Sequence, residues 1–200
     1  MTIAVEPVPS TFVPSPDLIK RFTVAQYHRL IDADVFGADA RVELLEGWIV
    51  YKMTHNPLHD STVDRIQEIL RDRISKTWRI RVQSAITTQD SEPEPDIVIA
   101  KGPASRYAKR HPVAKDIELI VEVADSSLDR DRNEKGPLYA RAGISVYWIV
   151  NLQESVVEVY TSPTRGRRFA ALQRLRMKDS VPLVIAGQAL PPIPVKELLP

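Results

Sequence analysis

Pro93–Ala100 reads PEPDIVIA, a turn-like head that ends in one carboxylate, Asp96, and then runs into unbroken apolar β-formers. Ile117–Ser127 reads IELIVEVADSS and repeats the theme, with Glu122 seated inside an otherwise apolar strand. Alternation along that strand places Glu118, Ile120, Glu122 and Ala124 on one face, and Leu119, Val121 and Val123 on the other. The basic, loop-like link over 102–115 lets strands 95–100 and 117–124 lie side by side in one sheet. Two acids at one end of a shared sheet repel each other in a low dielectric. A divalent cation resolves that conflict; magnesium takes oxygen ligands, one or two carboxylates plus waters. The structural alternative is equally open at this point: Asp96 caps a turn after Pro95 and Glu122 pairs with an arginine.

Outward from these strands, Thr23 reads as the N-cap of a helix VAQYHRLID. RVELLEGWIVYKM, residues 41–53, reads as strand–turn–strand around Glu46-Gly47. Leu58 to Trp78 carries a helical stripe of Val63, Ile66, Ile69, Leu70 and Ile74. A strand is expected at 79–89, and a helix over Asp129–Ala142 closed by Gly143. SVYWIVN, VVEVYTS, RFAALQRLRM and PLVIA give four more strands, and Val195–Leu199 a short terminal helix. The pattern is α/β (α+β), with one mixed sheet flanked by helices. Residues 1–21, with Pro7, Pro9, Pro14 and Pro16, read as a flexible proline-rich arm, and 22–200 as a single domain.

Composition bounds the function classes. Two hundred residues suffice for one domain that buries roughly 70% of its unfolded surface. No apolar run is long enough to cross a membrane, and no secretory signal opens the chain, so a cytoplasmic protein is expected. The absence of cysteine excludes disulfides and thiolate chemistry. Net charge is +1, which gives no global field for nucleic acid. Basic residues nevertheless cluster at 65–81, at 101–115 (Lys101, Arg106, Lys109, Arg110 and Lys115, with no acid among them) and at 165–178. Such blocks serve phosphate contacts or solvated faces.

DRDRNEKGPLYARAG spaces Asp131, Lys135 and Tyr139 at i, i+4 and i+8, on one helical face. This helix directly follows the Glu122 strand, so Lys135 can return toward the carboxylates. A lysine beside a metal-bound water orients the nucleophile or stabilises charge on phosphorus.

PEPD, EVADSS, and then D-x-x-x-K-x-x-x-YARAG-x-x-x-YWIV resemble, in order and spacing, the Uma-type restriction endonuclease family of the PD-(D/E)XK superfamily, over residues 22–162. The resemblance implies a restriction-endonuclease-like fold and Mg²⁺-dependent phosphodiester cleavage, with Mn²⁺ as a substitute metal and DNA as the expected partner. It assigns Asp96 and Glu122 as metal ligands and Lys135 as the catalytic lysine. Glu43 matches the acid that opens the family's first strand, and His59 the histidine at the start of the long helix. The simplest superfamily pattern has lysine two residues after the second acid, where this chain has Ala124; the family's variant takes Lys135 from the helix instead. Pro137 is expected to kink that helix. His28 and His111 have no constellation around them in the sequence, and Trp48, Trp78 and Trp148 read as core.

A non-catalytic relative that keeps the fold for nucleic-acid binding or assembly is the competing class. A glycosidase with two carboxylates needs no lysine and expects aromatic platforms, yet only 6% of the chain is aromatic. A homodimer is expected, because two chains with one site each serve both strands of a duplex.

Overall fold

The computed structural model describes residues 15, 18–37, 39–164 and 166–200. Most of the arm over 1–21 therefore lies outside the described residues. Helix α1 (Val24–Asp32) starts at Thr23, whose hydroxyl accepts from the Gln26 amide while the Gln26 side chain caps the Thr23 N–H. Strands β1 (Val42–Leu45) and β2 (Trp48–Tyr51) form a hairpin whose turn residues Glu46 and Gly47 have φ of 48° and 82°. A Cβ on Gly47 would stand 2.7 Å from Arg21 Cβ, so the turn also needs the missing side chain for close approach.

Helix α2 (Pro57–Arg73) begins at Asn56, whose Oδ1 accepts the His59 N–H at 3.0 Å. It ends before the expected Trp78: Ile74 is already extended, and Trp78 starts β3 (Trp78–Val82) opposite Lys101. β3 is shorter than the 79–89 expected. Gln83 turns left-handed at φ 44°, and Pro93 and Pro95 bring no N–H to pair with a longer strand.

Strand β4 (Ile97–Lys101) pairs antiparallel with β5 (Ile117–Ala124), making the two acid-bearing segments neighbours. β5 pairs parallel with β6 (Val146–Asn151), and β7 (Val156–Thr164) and β8 (Arg168–Leu175) follow antiparallel. The mixed sheet thus has six strands in the order β3-β4-β5-β6-β7-β8. The last segment predicted for strand, PLVIA, lies outside this sheet, as does the β1–β2 hairpin. PLVIA becomes β9 (Ser180–Ile185), which pairs only with β10 (Gln188–Pro194) across an Ala186-Gly187 turn. β10 went unread because Pro191, Pro192 and Pro194 argue against a strand; a break in register at these prolines reconciles them with pairing.

The sheet has an apolar core on each face. One packs Leu119, Val121, Val123 and Trp148 against α2, the β9–β10 hairpin and α5 (Val195–Leu198). The other packs Ile120, Ala124, Tyr147 and Ile149 against the β1–β2 hairpin and the helical segment 128–142. A register shift between Ile99 and Ala100 makes Glu118 the extra residue of a bulge. Glu118 therefore leaves the Ile120–Glu122 face on which alternation had put it, and its Oε2 accepts the Ala186 N–H at 2.9 Å.

Residues 128–142 form one helical run: α3 (Leu128–Arg130), a π segment over Asp131–Lys135, and α4 (Gly136–Ala142), closed by left-handed Gly143 at φ 82°. The Gly136 N–H reaches back five residues to the Asp131 carbonyl. Pro137 offers no N–H to the preceding turn, and the widened π turn immediately before it accommodates the loss. The basic link 101–115 is tied down in part: Arg106 and Arg110 lie 2.8 and 2.7 Å from the two oxygens of buried Asp116. Among the described residues, no helix is long and apolar enough to cross a membrane.

Candidate active site

The ends of β4 and β5, the N-terminus of α2, the β1–β2 hairpin and the 128–135 turn meet around a cavity of about 180 Å³. All five residues singled out from the sequence line it: Glu43, His59, Asp96, Glu122 and Lys135. The four acids Glu43, Asp96, Glu122 and Asp131 are each no more than 5% exposed. Unpaired charges at such depth are costly, so each must find protons, cations or donors.

Asp96 sits just before β4, where its main-chain N–H donates to Glu122 Oε2 at 3.2 Å. Its own Oδ2 accepts the Val123 N–H at 2.8 Å and faces His59 Nε2 at 3.1 Å. Oδ1 accepts no hydrogen bond among the described residues. Burial pushes the Asp96 carboxyl up, but the His59 hydrogen bond and charge, Lys135 and the Val123 amide outweigh it and hold the group below its ordinary value. His59 shifts in the complementary direction: burial opposes its charge, yet contact with Asp96 raises its pKa. The histidine at the start of the long helix is thus delivered by α2 directly onto Asp96.

Glu122 accepts the Tyr139 hydroxyl at 2.7 Å and the Lys135 ammonium at 3.0 Å, both on Oε1. Lys135 also stands 3.7 Å from Asp131 Oδ1, whose other oxygen accepts the Ser127 hydroxyl at 2.6 Å. The i, i+4, i+8 spacing therefore converges on Glu122 even though the intervening turn is π. Burial raises the Glu122 carboxyl to about 8, with Asp96 and Asp131 adding to the rise and Lys135 opposing it. Asp131 is raised by burial too. Burial works against the Lys135 ammonium, but Glu122, Asp131, Glu43 and Asp96 together hold its pKa above the ordinary value.

Glu43 is buried rather than a surface strand residue; its Oε2 accepts the Glu94 N–H at 3.2 Å, and Arg130 Nη2 lies 3.7 Å from Oε1. Sequence reasoning omitted the rim of the cavity. Tyr139 was legible as the next turn after Lys135, but Arg41, Lys52, Gln83 and Arg130 carried no signal, being brought in by tertiary packing. Asn56, the α2 cap, also donates to Asp125 Oδ2 at 2.6 Å and so ties α2 to the end of β5. Away from the cavity, His28 and His111, which the sequence left without partners, stand 2.7 and 3.9 Å from buried Glu92.

The arrangement is an oxygen-rich pocket with the Lys135 ammonium among its buried acids, and with Arg41, Arg130 and a Lys52–Glu94 ion pair of 2.7 Å at its rim. Its chemistry suits a hard divalent cation and a phosphate-bearing ligand. No curated protein matches this chain. Among solved structures, a putative nuclease belonging to DUF820 from Anabaena variabilis is similar in fold, with a TM-score of 0.67 at 16% identity. The likeness covers 88% of this chain and 97% of that one. The family described as Uma2, putative restriction endonuclease, matches residues 24–192, and the chain belongs to it.

Proposed function

We propose that the protein is a Mg²⁺-dependent endonuclease that hydrolyses phosphodiester bonds of DNA through a PD-(D/E)XK-type site. One observation carries the reading: the Asp96 and Glu122 segments adjoin at neighbouring strands, and Lys135 converges on them from the helix that follows. The donor set fits magnesium. It is all oxygen, it holds more buried acid than its one ammonium neutralises, and Asp96 keeps Oδ1 free of hydrogen bonds among the described residues. Asp96 and Glu122 would hold the ion, with Mn²⁺ as a substitute, and the ion would supply charge neutralisation at phosphorus and a more acidic water.

The chain's own groups do the remainder. His59 and the Val123 amide hold Asp96 ionised and oriented. Tyr139 fixes Glu122, and Lys135 offers its ammonium to the attacking water or to charge that develops on the phosphoryl oxygens. Arg41 on the rim favours a polyanion, and Lys52 and Arg130 can turn to one from their ion pairs with Glu94 and with Glu43 and Glu134. DNA as the polyanion rests on the family's description as restriction endonucleases. A homodimer would present two such sites to the two strands of a duplex, and a reducing cytoplasm suits a chain without cysteine.

The second reading is a catalytically silent module for nucleic-acid binding or assembly. It draws on the fact that both Glu122 oxygens are already engaged by the chain's own donors. Incubation of wild type and Asp96→Ala with plasmid and single-stranded DNA, with Mg²⁺, Mn²⁺ or EDTA, separates the two. Metal-dependent cleavage lost in Asp96→Ala supports the nuclease. Tight binding without cleavage in either metal supports the module.

A further inference from the structure

We propose that His55, His59 and Asp60 form a transition-metal site, separate from the Asp96–Glu122 centre and joined to it through the His59 imidazole. One ligand atom from each of these three residues lies within 4.8 Å of the other two. Asp60 Oδ1 stands 3.2 Å from His59 Nδ1 and 3.7 Å from His55 Nδ1, and the two imidazoles stack with centroids 4.0 Å apart.

The hydrogen-bond inventory of His59 points to a cation. Nε2 faces Asp96 Oδ2 at 3.1 Å, and Nδ1 faces Asp60 Oδ1 at 3.2 Å. With two carboxylate oxygens on its two nitrogens, the ring needs either a second proton or a metal ion on Nδ1. A metal ion shared by Nδ1 and Asp60 takes the place of that proton and leaves Nε2–H donating to Asp96. The result is a carboxylate–imidazole–metal chain, the usual support for a metal-bound histidine.

Helix capping does not account for these side chains. Asn56 Oδ1 already caps α2 by accepting the His59 N–H at 3.0 Å, and neither His55 nor Asp60 is needed for it. The positive end of the helix disfavours a cation in general, and Asp60 in the first turn offsets that field. Gln83 Nε2 lies 3.0 Å from His55 Nδ1 and would be displaced by a metal bound there. Asp60 is 59% exposed, so an ion reaches it from solvent.

Donor type separates this site from its neighbour. Two imidazoles and one carboxylate suit Zn²⁺, Co²⁺ or Ni²⁺, whereas the all-oxygen site suits Mg²⁺. Three protein ligands also leave coordination positions open to water or to a phosphate oxygen.

The probe is Co²⁺, titrated into the full chain with excess Mg²⁺ present and followed by its visible absorption. Nitrogen-ligated cobalt should give a saturable band with one equivalent. His55→Gln and Asp60→Asn should each weaken it about tenfold or more, the scale of a lost ligand or ligand support, while Glu122→Gln keeps it. His55 lines the cavity and Asp60 is exposed beside it, and matching thermal melts would exclude misfolding. Cobalt binding that is unchanged in both variants, or lost only in Glu122→Gln, would overturn the site. So would ¹⁵N spectra that show His59 protonated on both nitrogens with saturating Co²⁺ present. None of these readings uses cleavage, so the proposal stands or falls apart from the nuclease reading.

Discussion

Magnesium binding should be coupled to proton release from Glu122. Burial raises this carboxyl to about 8 in the metal-free protein. At pH 7, below that value, the protonated form predominates. A cation held between Asp96 and Glu122 requires both groups ionised. Binding should therefore release close to one proton near pH 7 and far less near pH 9. Apparent affinity should rise about tenfold from pH 6 to pH 7 and flatten above pH 8. Isothermal titration calorimetry in two buffers of different ionisation enthalpy measures the proton count directly. Glu122→Gln serves as the control, since it has no proton to release. The shift also has a sign for stability: the folded value of about 8 lies above the ordinary 4.5. The folded state therefore binds the extra proton between those pH values, and the metal-free protein loses stability as pH rises through the window. Glu122→Gln should accordingly raise the metal-free Tm at pH 8 and leave it unchanged at pH 4. A Mg²⁺ affinity flat from pH 6 to pH 8, with no buffer-dependent heat, would refute the reasoning.

Lys135→Ala should lower cleavage by about two to four powers of ten with metal affinity retained, whereas Asp96→Ala should abolish both, as single-turnover assays and calorimetry would register. Arg132→Ala should cost about 3–5 kcal/mol by denaturant titration, because the fully buried Glu158 carboxylate loses its paired guanidinium; a loss below about 1 kcal/mol would mean that Arg174 and Tyr160 satisfy it alone. Lys109→Ala should weaken nucleic-acid binding and lower its log–log salt slope by about one, if the 101–115 segment contacts phosphate. Arg110→Ala is a poorer probe of the same contact, since it also breaks the ion pair with Asp116.

The strand alternation of IELIVEVA, the punctuation of PEPD and the four-residue spacing from Asp131 to Tyr139 were legible in the sequence because each is a local period. Burial on both sheet faces demands continuous apolar strands, and an acid inside one stands out against them. The start of α1 was legible for a similar reason, since the Thr23 cap satisfies its own turn. Other features depended on contacts between distant segments. β3 ends at Val82 because its partner β4 cannot begin before the prolines, and β10 exists only because β9 lies beside it. A single bulged residue rotated Glu118 to the opposite face, which no alternation rule anticipates. At the cavity, the acids and the lysine were evident as residue types in order. That His59 grips Asp96, that Glu43 is buried, and that Arg41, Lys52 and Arg130 form the rim were decided by the packing of α2 and the β1–β2 hairpin against the sheet ends. Local periodicity specifies which residues face inward; only the tertiary fold specifies which of them meet, and therefore which charges must share protons or a cation.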